Sequence, residues 1–512
     1  MPCSGSNSQR QSFIIKVRQR ISSLALFISP SHTALFHEVS MVLIIGTVYG
    51  CTLAPGLTWA NGGTDGGDLI TAAATHGVAH PSGYPLYLLL AELFQWIPAG
   101  TLAFRTNLLS VVCAITASVF LYRVTCLILD GKPYNRLASW GSALLFGFSH
   151  LVWSQAVITE VYALQTLLTA LIFYLAFFNR QWRYQDIVCG LVGGLALGNH
   201  LTSLLLIPLL FWKTEEFVPG TKRRTFLRAI GILIGTLIYL ILPLRAIQNP
   251  PVSWNNPTTL SSLFQLITGQ IYQGYFTLLY LPDRLRGLAG LFIDQFNAIG
   301  MAVGFFSLLG GRISLRKNIP LFWVFLSSCC FALVYGTFDS YVYVIPAVMV
   351  FSIWIAGGIQ EIVDILSSNR KLSQPAIYLA LLLAIAYQIF STIPTVDASK
   401  DARAETFGIA VMQSVPENSL VFTGDDESTF ALWYFHFALK QRPDITVISA
   451  DLLQFPWYQR TLEYTYPDLI VPDSGSFTVE SIRRNNSTRP YYVIDNYRNY
   501  LNILSKINSK NQ

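Results

Sequence analysis

Pro375-Ala-Ile-Tyr-Leu-Ala-Leu-Leu-Leu-Ala-Ile-Ala-Tyr-Gln-Ile-Phe-Ser-Thr-Ile-Pro394 carries no charged side chain. A helix of that length rises ~30 Å, the thickness of a bilayer's hydrocarbon core. Runs of the same kind recur upstream, near 34–54, 105–128, 136–152, 160–178, 187–198, 201–212, 227–246, 287–310, 319–337 and 342–362. About eleven transmembrane helices are expected. The pieces at 187–198 and 201–212 are too short to cross alone. They read as a broken pair inside the bundle, where protein or trapped water satisfies irregular backbone. Composition agrees: 52% of the 512 residues are hydrophobic and 12% charged, against ~25% charged in soluble domains. A soluble cytosolic enzyme, a disordered tail protein and a secreted disulfide scaffold are excluded. The seven cysteines form no C-x-x-C pair, so they read as packing residues rather than zinc ligands or a disulfide framework.

The net charge of +6 is modest and resides in short loops. It speaks of membrane orientation and not of nucleic acid. With residues 1–33 as a cytoplasmic segment, the inner loops hold 18 Lys and Arg, and the outer loops before the tail hold 4. That asymmetry follows the positive-inside rule. It requires that Gly83–Ile97 lie at the interface instead of crossing. The apolar run Ile21–Ile28 has the length of a signal-peptide core, but the longer run after it reads as a retained first span. Residues 34–394 are then one transmembrane domain with large outer loops at 55–104 and 247–285. After residue 395 the composition changes, and half of the 28 acidic residues follow. Strands are expected at Leu420–Gly424, Ile445–Ile448 and Tyr491–Ile494, with a helix over Ser428–Lys440, giving a small α/β domain outside the membrane over 395–512.

Ionisable groups are expensive in or against a membrane domain and are functional candidates by default. Here they gather at one predicted depth. The first outer loop offers Asp65 and Asp68 among four glycines, which let backbone approach a ligand closely. Asp68 reads equally as the N-cap of a helix from Leu69. His76 and His80 stand four apart, but Pro81 disfavours the helix that would pair them on a metal. Glu160 is either a helix cap or a site acid. His200, between the two short helices, is either a satisfied packing histidine or a ligand contact. Arg245 forks well onto phosphate and equally suits snorkelling. Asp339 sits in a tight turn. Trp254 suits a sugar face or an interfacial belt. Gly424–Ser428 reads as the cap of the helix that follows.

Four motifs carry a resemblance: Thr64-Asp-Gly-Gly-Asp-Leu69, Gly77-Val-Ala-His-Pro-Ser-Gly-Tyr-Pro-Leu86, Glu160-Val-Tyr-Ala-Leu164 and Gly198-Asn-His-Leu201. Together they resemble the membrane family catalogued as domain of unknown function 2723, which includes protein O-mannosyltransferases of the transmembrane-protein-260 type and is placed among the GT-C glycosyltransferases. That family usually has Asp-Ser-Gly-Glu at Asp65-Gly-Gly-Asp68 and His-Pro-Pro-Gly at His80-Pro-Ser-Gly83. The resemblance implies a GT-C-like fold and an outward-facing site. A mannose-like sugar would pass from a polyprenyl-phosphate donor to an acceptor hydroxyl on protein Ser/Thr or on a glycan, with inversion. It implies Asp65 as base, with Asp68 and His80 orienting it or the sugar. Tyr84, Glu160, His200, Arg245 and Trp254 would bind substrate, with Arg245 and His200 on the departing phosphate. No cofactor or metal is expected beyond the donor, and the expected partners are membrane lipid, donor and acceptor. The expected location is a bacterial cell membrane, or the endoplasmic reticulum in a eukaryote. The alternative from another class is a multi-pass transporter or lipid flippase.

Overall fold

The computed structural model describes residues 32–130, 134–178, 184–212, 221–368, 374–472 and 477–494. The expected cytoplasmic segment lies almost wholly outside them. Helix α1 (His32–Thr52) opens the bundle, and a 3-10 turn (Ala60–Asp65) runs directly into α2 (Gly66–Ala74). The expected interfacial helix is α3 (Pro85–Gln95). Pro85 starts it because a proline at the first helical position loses no hydrogen bond. Helix α4 (Leu102–Ile128) is capped by Thr101, whose side chain accepts from the Phe104 amide. Then follow α5 (Asn135–Gly147), α6 (His150–Ala156), α7 (Val161–Phe177), α8 (Gln185–Leu197) and, after a 3-10 turn at Leu201–Leu206, α9 (Ile207–Phe211). Helices α10 (Thr221–Thr236) and α11 (Ile241–Ala246) are joined by a 3-10 turn, and the second large loop carries α12 (Leu260–Ile267). Helices α13 (Leu281–Gly310), α14 (Leu315–Val334), α15 (Ile345–Ser368) and α16 (Gln374–Val396) complete the bundle.

Seven helical segments among the described residues are long and apolar enough to cross a membrane. The remaining expected spans are shorter helices or interrupted ones. The run 136–152 breaks at Phe148-Ser149. Buried amides stitch the break: Gln295 accepts from the Leu151 amide at 2.8 Å, and Gln388 donates to the Phe148 carbonyl at 3.4 Å. Irregular backbone is tolerated at membrane depth under that condition. Helices α8 and α10 touch through glycines. A Cβ on Gly194 would fall 2.2 Å from the Ile232 carbonyl oxygen, so small residues here permit backbone contact.

Past α16 the chain forms α17 (Arg403–Ser414), β1 (Leu420–Thr423), α18 (Asp426–Trp433), β2 (Thr446–Ser449), α19 (Pro456–Thr465), α20 (Val479–Asn485) and β3 (Tyr491–Ile494). The strands pair in parallel in the order β2-β1-β3, with Leu420 opposite Thr446 on one side and Tyr491 on the other. All four residues of β1 and of β2 are buried, which is why these strands read as continuous apolar runs. This unit is seated on the first large loop. Asp401 accepts from the Thr58 hydroxyl at 2.7 Å and the Trp59 amide at 3.0 Å, and Trp59 packs on Phe407. Arg403 beside Asp401 helps hold that carboxyl down at about 2, against the opposing effect of its burial.

Candidate functional site

The two large loops meet where Val78 and Ser253 form a short parallel bridge; the Val78 amide donates to the Val252 carbonyl at 2.9 Å. Gly77 makes the approach feasible, since a Cβ there would lie 2.4 Å from the Val252 oxygen. The bridge delivers His80 and Trp254 to the first turn of α2. There Asp68 is fully buried and its carboxylate is engaged on both oxygens. One oxygen accepts from the His80 backbone amide at 3.0 Å and pairs with His80 Nδ1 at 2.7 Å; the other accepts from Trp254 Nε1 at 3.0 Å. Asp65, not Asp68, occupies the N-cap position of α2, and its side chain makes no cap bond. Trp254 is buried and committed to Asp68, so its ring lies neither in an interfacial belt nor open to a sugar face.

Beyond His80 stands Asp65. His80 Nε2 lies 3.4 Å from Asp65 Oδ2, which completes a line Asp68–His80–Asp65. The Asp65 side chain keeps 37% of its surface open, while Asp68 keeps none. Asp65 is thus the member of the line that solvent can reach. Desolvation by the protein around it pushes the carboxyl above its ordinary value of 3.8; His80 opposes this, and Asp68, Asp339 and Glu427 add to it. Burial alone would lower His80, but the charges of Asp65 and Asp68 outweigh it and hold the imidazole at about 9. His80 is therefore an imidazolium between two carboxylates near neutral pH.

An aromatic layer packs around this line. Tyr84, held with φ 42°, sets its ring edge-on to His80 at 5.0 Å and stacks on His200 at 6.1 Å. His200 also meets Tyr162 and Tyr343, while its Nδ1 accepts from the Thr202 amide and caps the 3-10 turn. Asp339 accepts from the Tyr162 hydroxyl at 3.3 Å. Glu160 caps α7 through the Val161 amide at 3.3 Å and adds its charge to the field at His80. Beside this layer a narrow crevice is lined by Tyr162, Gln165, Thr166, Thr202, Tyr343 and Ile345, among others.

Arg245 stands behind the loop bridge. It forms a buried ion pair with Glu92 of α3 and donates to the Gly77 carbonyl at 3.3 Å. Glu92 escaped the sequence reading, although an isolated acid in an apolar run was a signal. Also missed was the roof that the C-terminal unit supplies. Phe430 of α18 stacks over His80 at an interplanar angle of 13°, and Trp433 and Trp457 pack on Trp254. Gly67 admits α18, because a Cβ there would fall 2.4 Å from the Phe430 carbonyl oxygen. Asp426 lies one turn before Phe430, hence on the same helix face. Desolvation by the protein around it and the charge of Asp65 push it up to about 7, although its own surface remains exposed. The expected cap at Gly424–Ser428 is present, with Asp425 accepting from the Ser428 amide at 2.8 Å. Among the described residues no group of three His, Cys, Asp or Glu side chains is placed to hold a metal ion.

Residues 65–214 match the family "Protein O-mannosyl-transferase TMEM260 N-terminal domain", and residues 404–475 match "TMEM260-associated domain 2". The chain is 25% identical to the protein O-mannosyl-transferase tmem260 of Dictyostelium discoideum, over 87% of its own length and 62% of the relative's. It is 25% identical to the Mus musculus counterpart over 88% and 67%. The chain thus spans about three fifths to two thirds of the relatives it matches. ArnT from Cupriavidus metallidurans, solved bound to undecaprenyl phosphate, superposes with a TM-score of 0.54 at 10% identity, covering 86% of this chain and 96% of that one. The Archaeoglobus fulgidus oligosaccharyltransferase, solved tethered to an acceptor peptide, superposes with a TM-score of 0.52 at 13% identity over 85% and 68%. At these identities the likeness shows a shared GT-C-like fold.

Proposed function

We propose that this chain, which belongs with the TMEM260-type proteins through both matched segments, is a membrane glycosyltransferase. It moves a mannose-like sugar from a polyprenyl-phosphate donor to an acceptor hydroxyl, on protein Ser/Thr or on a glycan. The observation that carries the reading is the line Asp68–His80–Asp65, closed at one end and open at the other. A carboxylate that is fully buried, with both oxygens engaged, is out of a substrate's reach, so Asp68 is the positioning group. Asp65 keeps an open oxygen and a raised affinity for protons, which suits a general base near neutral pH. It removes the proton of the acceptor hydroxyl as that oxygen attacks the anomeric carbon; the carbon–phosphate oxygen bond breaks on the opposite face, inverting the centre. His80, held charged by Asp68, fixes the orientation of Asp65.

The aromatic layer of Tyr84, Tyr162 and Tyr343 around His200 supports a donor position next to the reacting centre. Arg245 acts there through Gly77 and the loop bridge, because Glu92 occupies its guanidinium. The family matches do not favour the transporter or flippase reading. The charge asymmetry of the loops supports a site on the outer face of a bacterial cell membrane, or of the endoplasmic reticulum in a eukaryote. The deciding assay is transfer from polyprenyl-phosphate mannose by the purified full chain. Asp65→Asn is expected to lower the rate by ~10²–10⁴-fold, the usual contribution of a general base. Unchanged turnover in that variant discards the assignment.

A further inference from the structure

Helix α13 carries a carboxylate on its lipid side. Two contacts fix the depth. Arg284 donates to the carbonyls of Ala332 and Tyr335 at one end of α14, and Phe292 packs on Phe325, halfway along α14, at 5.4 Å. Asp294 therefore lies near the bilayer's mid-plane. It is exposed, and among the described residues its carboxylate makes no hydrogen bond or ion pair. The half-buried His150, at the head of α6, is within electrostatic reach of it, and that ring likewise makes no hydrogen bond among the described residues. Insertion scales put an aspartate at the centre of a span at ~2.5–3.5 kcal/mol. Intramembrane acids normally face a partner. Four and seven residues before Asp294 come Gly290 and Gly287 on the same helix face, where an added Cβ would meet nothing within 4 Å. Exposed Ile293 lies beside them. Small residues aligned with one polar group are how membrane helices pack at close range.

We propose that this face of α13 is the contact of a two-fold homodimer, in which Asp294 of each copy accepts a hydrogen bond from His150 of the other. The choice of a second copy rests on self-complementarity. Donor and acceptor lie on one patch, so a two-fold axis sets each against its opposite and closes the assembly. The glycines let the two α13 backbones approach. The patch is separate from the Asp65 site, and the inference does not depend on the proposed reaction.

The test counts copies of the full chain by single-molecule photobleaching in liposomes over a range of protein densities. Wild type is expected to be dimeric. Gly290→Leu and Asp294→Leu are each expected to raise the dissociation constant at least tenfold. The double exchange His150→Asp with Asp294→His is expected to restore the dimer that Asp294→His alone loses. Asp294→Leu removes a charge from a lipid face, so its melting temperature guards against misfolding: it should equal or exceed that of dispersed wild type. A monomeric wild type at every density, whether bare or bound to another protein, overturns the proposal. So do dimers that survive both leucine variants, and so does a double exchange that fails to restore dimers.

Discussion

The buried pair Arg245–Glu92 separates a scaffold from a phosphate contact. The two side chains keep only 7% and 16% of their surface open. Arg245→Leu leaves Glu92 with only the imidazole of His76 nearby, 3.5 Å away and itself 68% exposed. Breaking a buried pair from one side costs ~3–5 kcal/mol, whereas replacing both members by apolar residues is close to neutral. Arg245→Leu and Glu92→Leu should therefore each destabilise the chain by about 3–5 kcal/mol, while the double variant returns to near the wild-type value. Denaturant unfolding of the detergent-solubilised chain measures the cycle. Transfer kinetics supply the second readout. If Arg245 serves only as the scaffold partner of Glu92, the double variant recovers turnover as it recovers stability. Additive losses would refute the pairing. A double variant that is stable but has its KM for the donor raised tenfold, about 1.4 kcal/mol, would refute the scaffold role and return Arg245 to the phosphate.

Further outcomes follow from the same contacts. The pH profile of transfer should have two limbs: an acid limb displaced above the ordinary 3.8 of a carboxyl, because Asp65 must be ionised and its pKa is raised, and an alkaline limb near 9, where His80 loses its charge. Since the folded pKa of His80 exceeds its ordinary value of 6.5, its contribution to stability is complete below 6.5 and fades as pH rises through about 9. Asp68→Asn removes one source of that elevation and should move the alkaline limb down, and Glu427→Gln should move the acid limb down; initial rates across pH check both. Trp254→Phe deletes the donor to a buried carboxylate, at about 1.5–3 kcal/mol by denaturant unfolding; a loss under 0.5 would contradict the bond. Gly67→Ala forces a Cβ against the Phe430 carbonyl and should cost ~1–3 kcal/mol, with faster proteolytic release of 397–494; an unchanged digestion rate would mean that α18 does not seat there. A cysteine at Glu427 should react with an impermeant thiol reagent from outside intact cells; reaction only after permeabilisation would reverse the topology.

How far the sequence could be read depends on how far apart the interacting residues lie. Apolar runs are local, so seven long spans, α3 and the strands at 420, 446 and 491 were legible. The break at Phe148 was not, because its cause is distributed: Gln295 and Gln388, far downstream, make the interruption affordable. Asp65, Asp68 and His80 were legible as a motif, but which acid points outward was not. That is decided by Trp254, 186 residues away, which takes the second oxygen of Asp68. Removing that indole would free Asp68 and blur the distinction between the two acids. The division of labour is thus a property of the loop bridge at Val78 and Ser253, not of the Asp65–Asp68 motif alone. The same holds for the roof. Gly67 looked like one of four permissive glycines, and only the carbonyl of Phe430 shows that its missing side chain is the socket for a helix more than 350 residues later. A site assembled this way couples its chemistry to the seating of the C-terminal unit. Phe430 and Asp426 are consequently parts of the proposed active site, though the sequence places them in a separate domain.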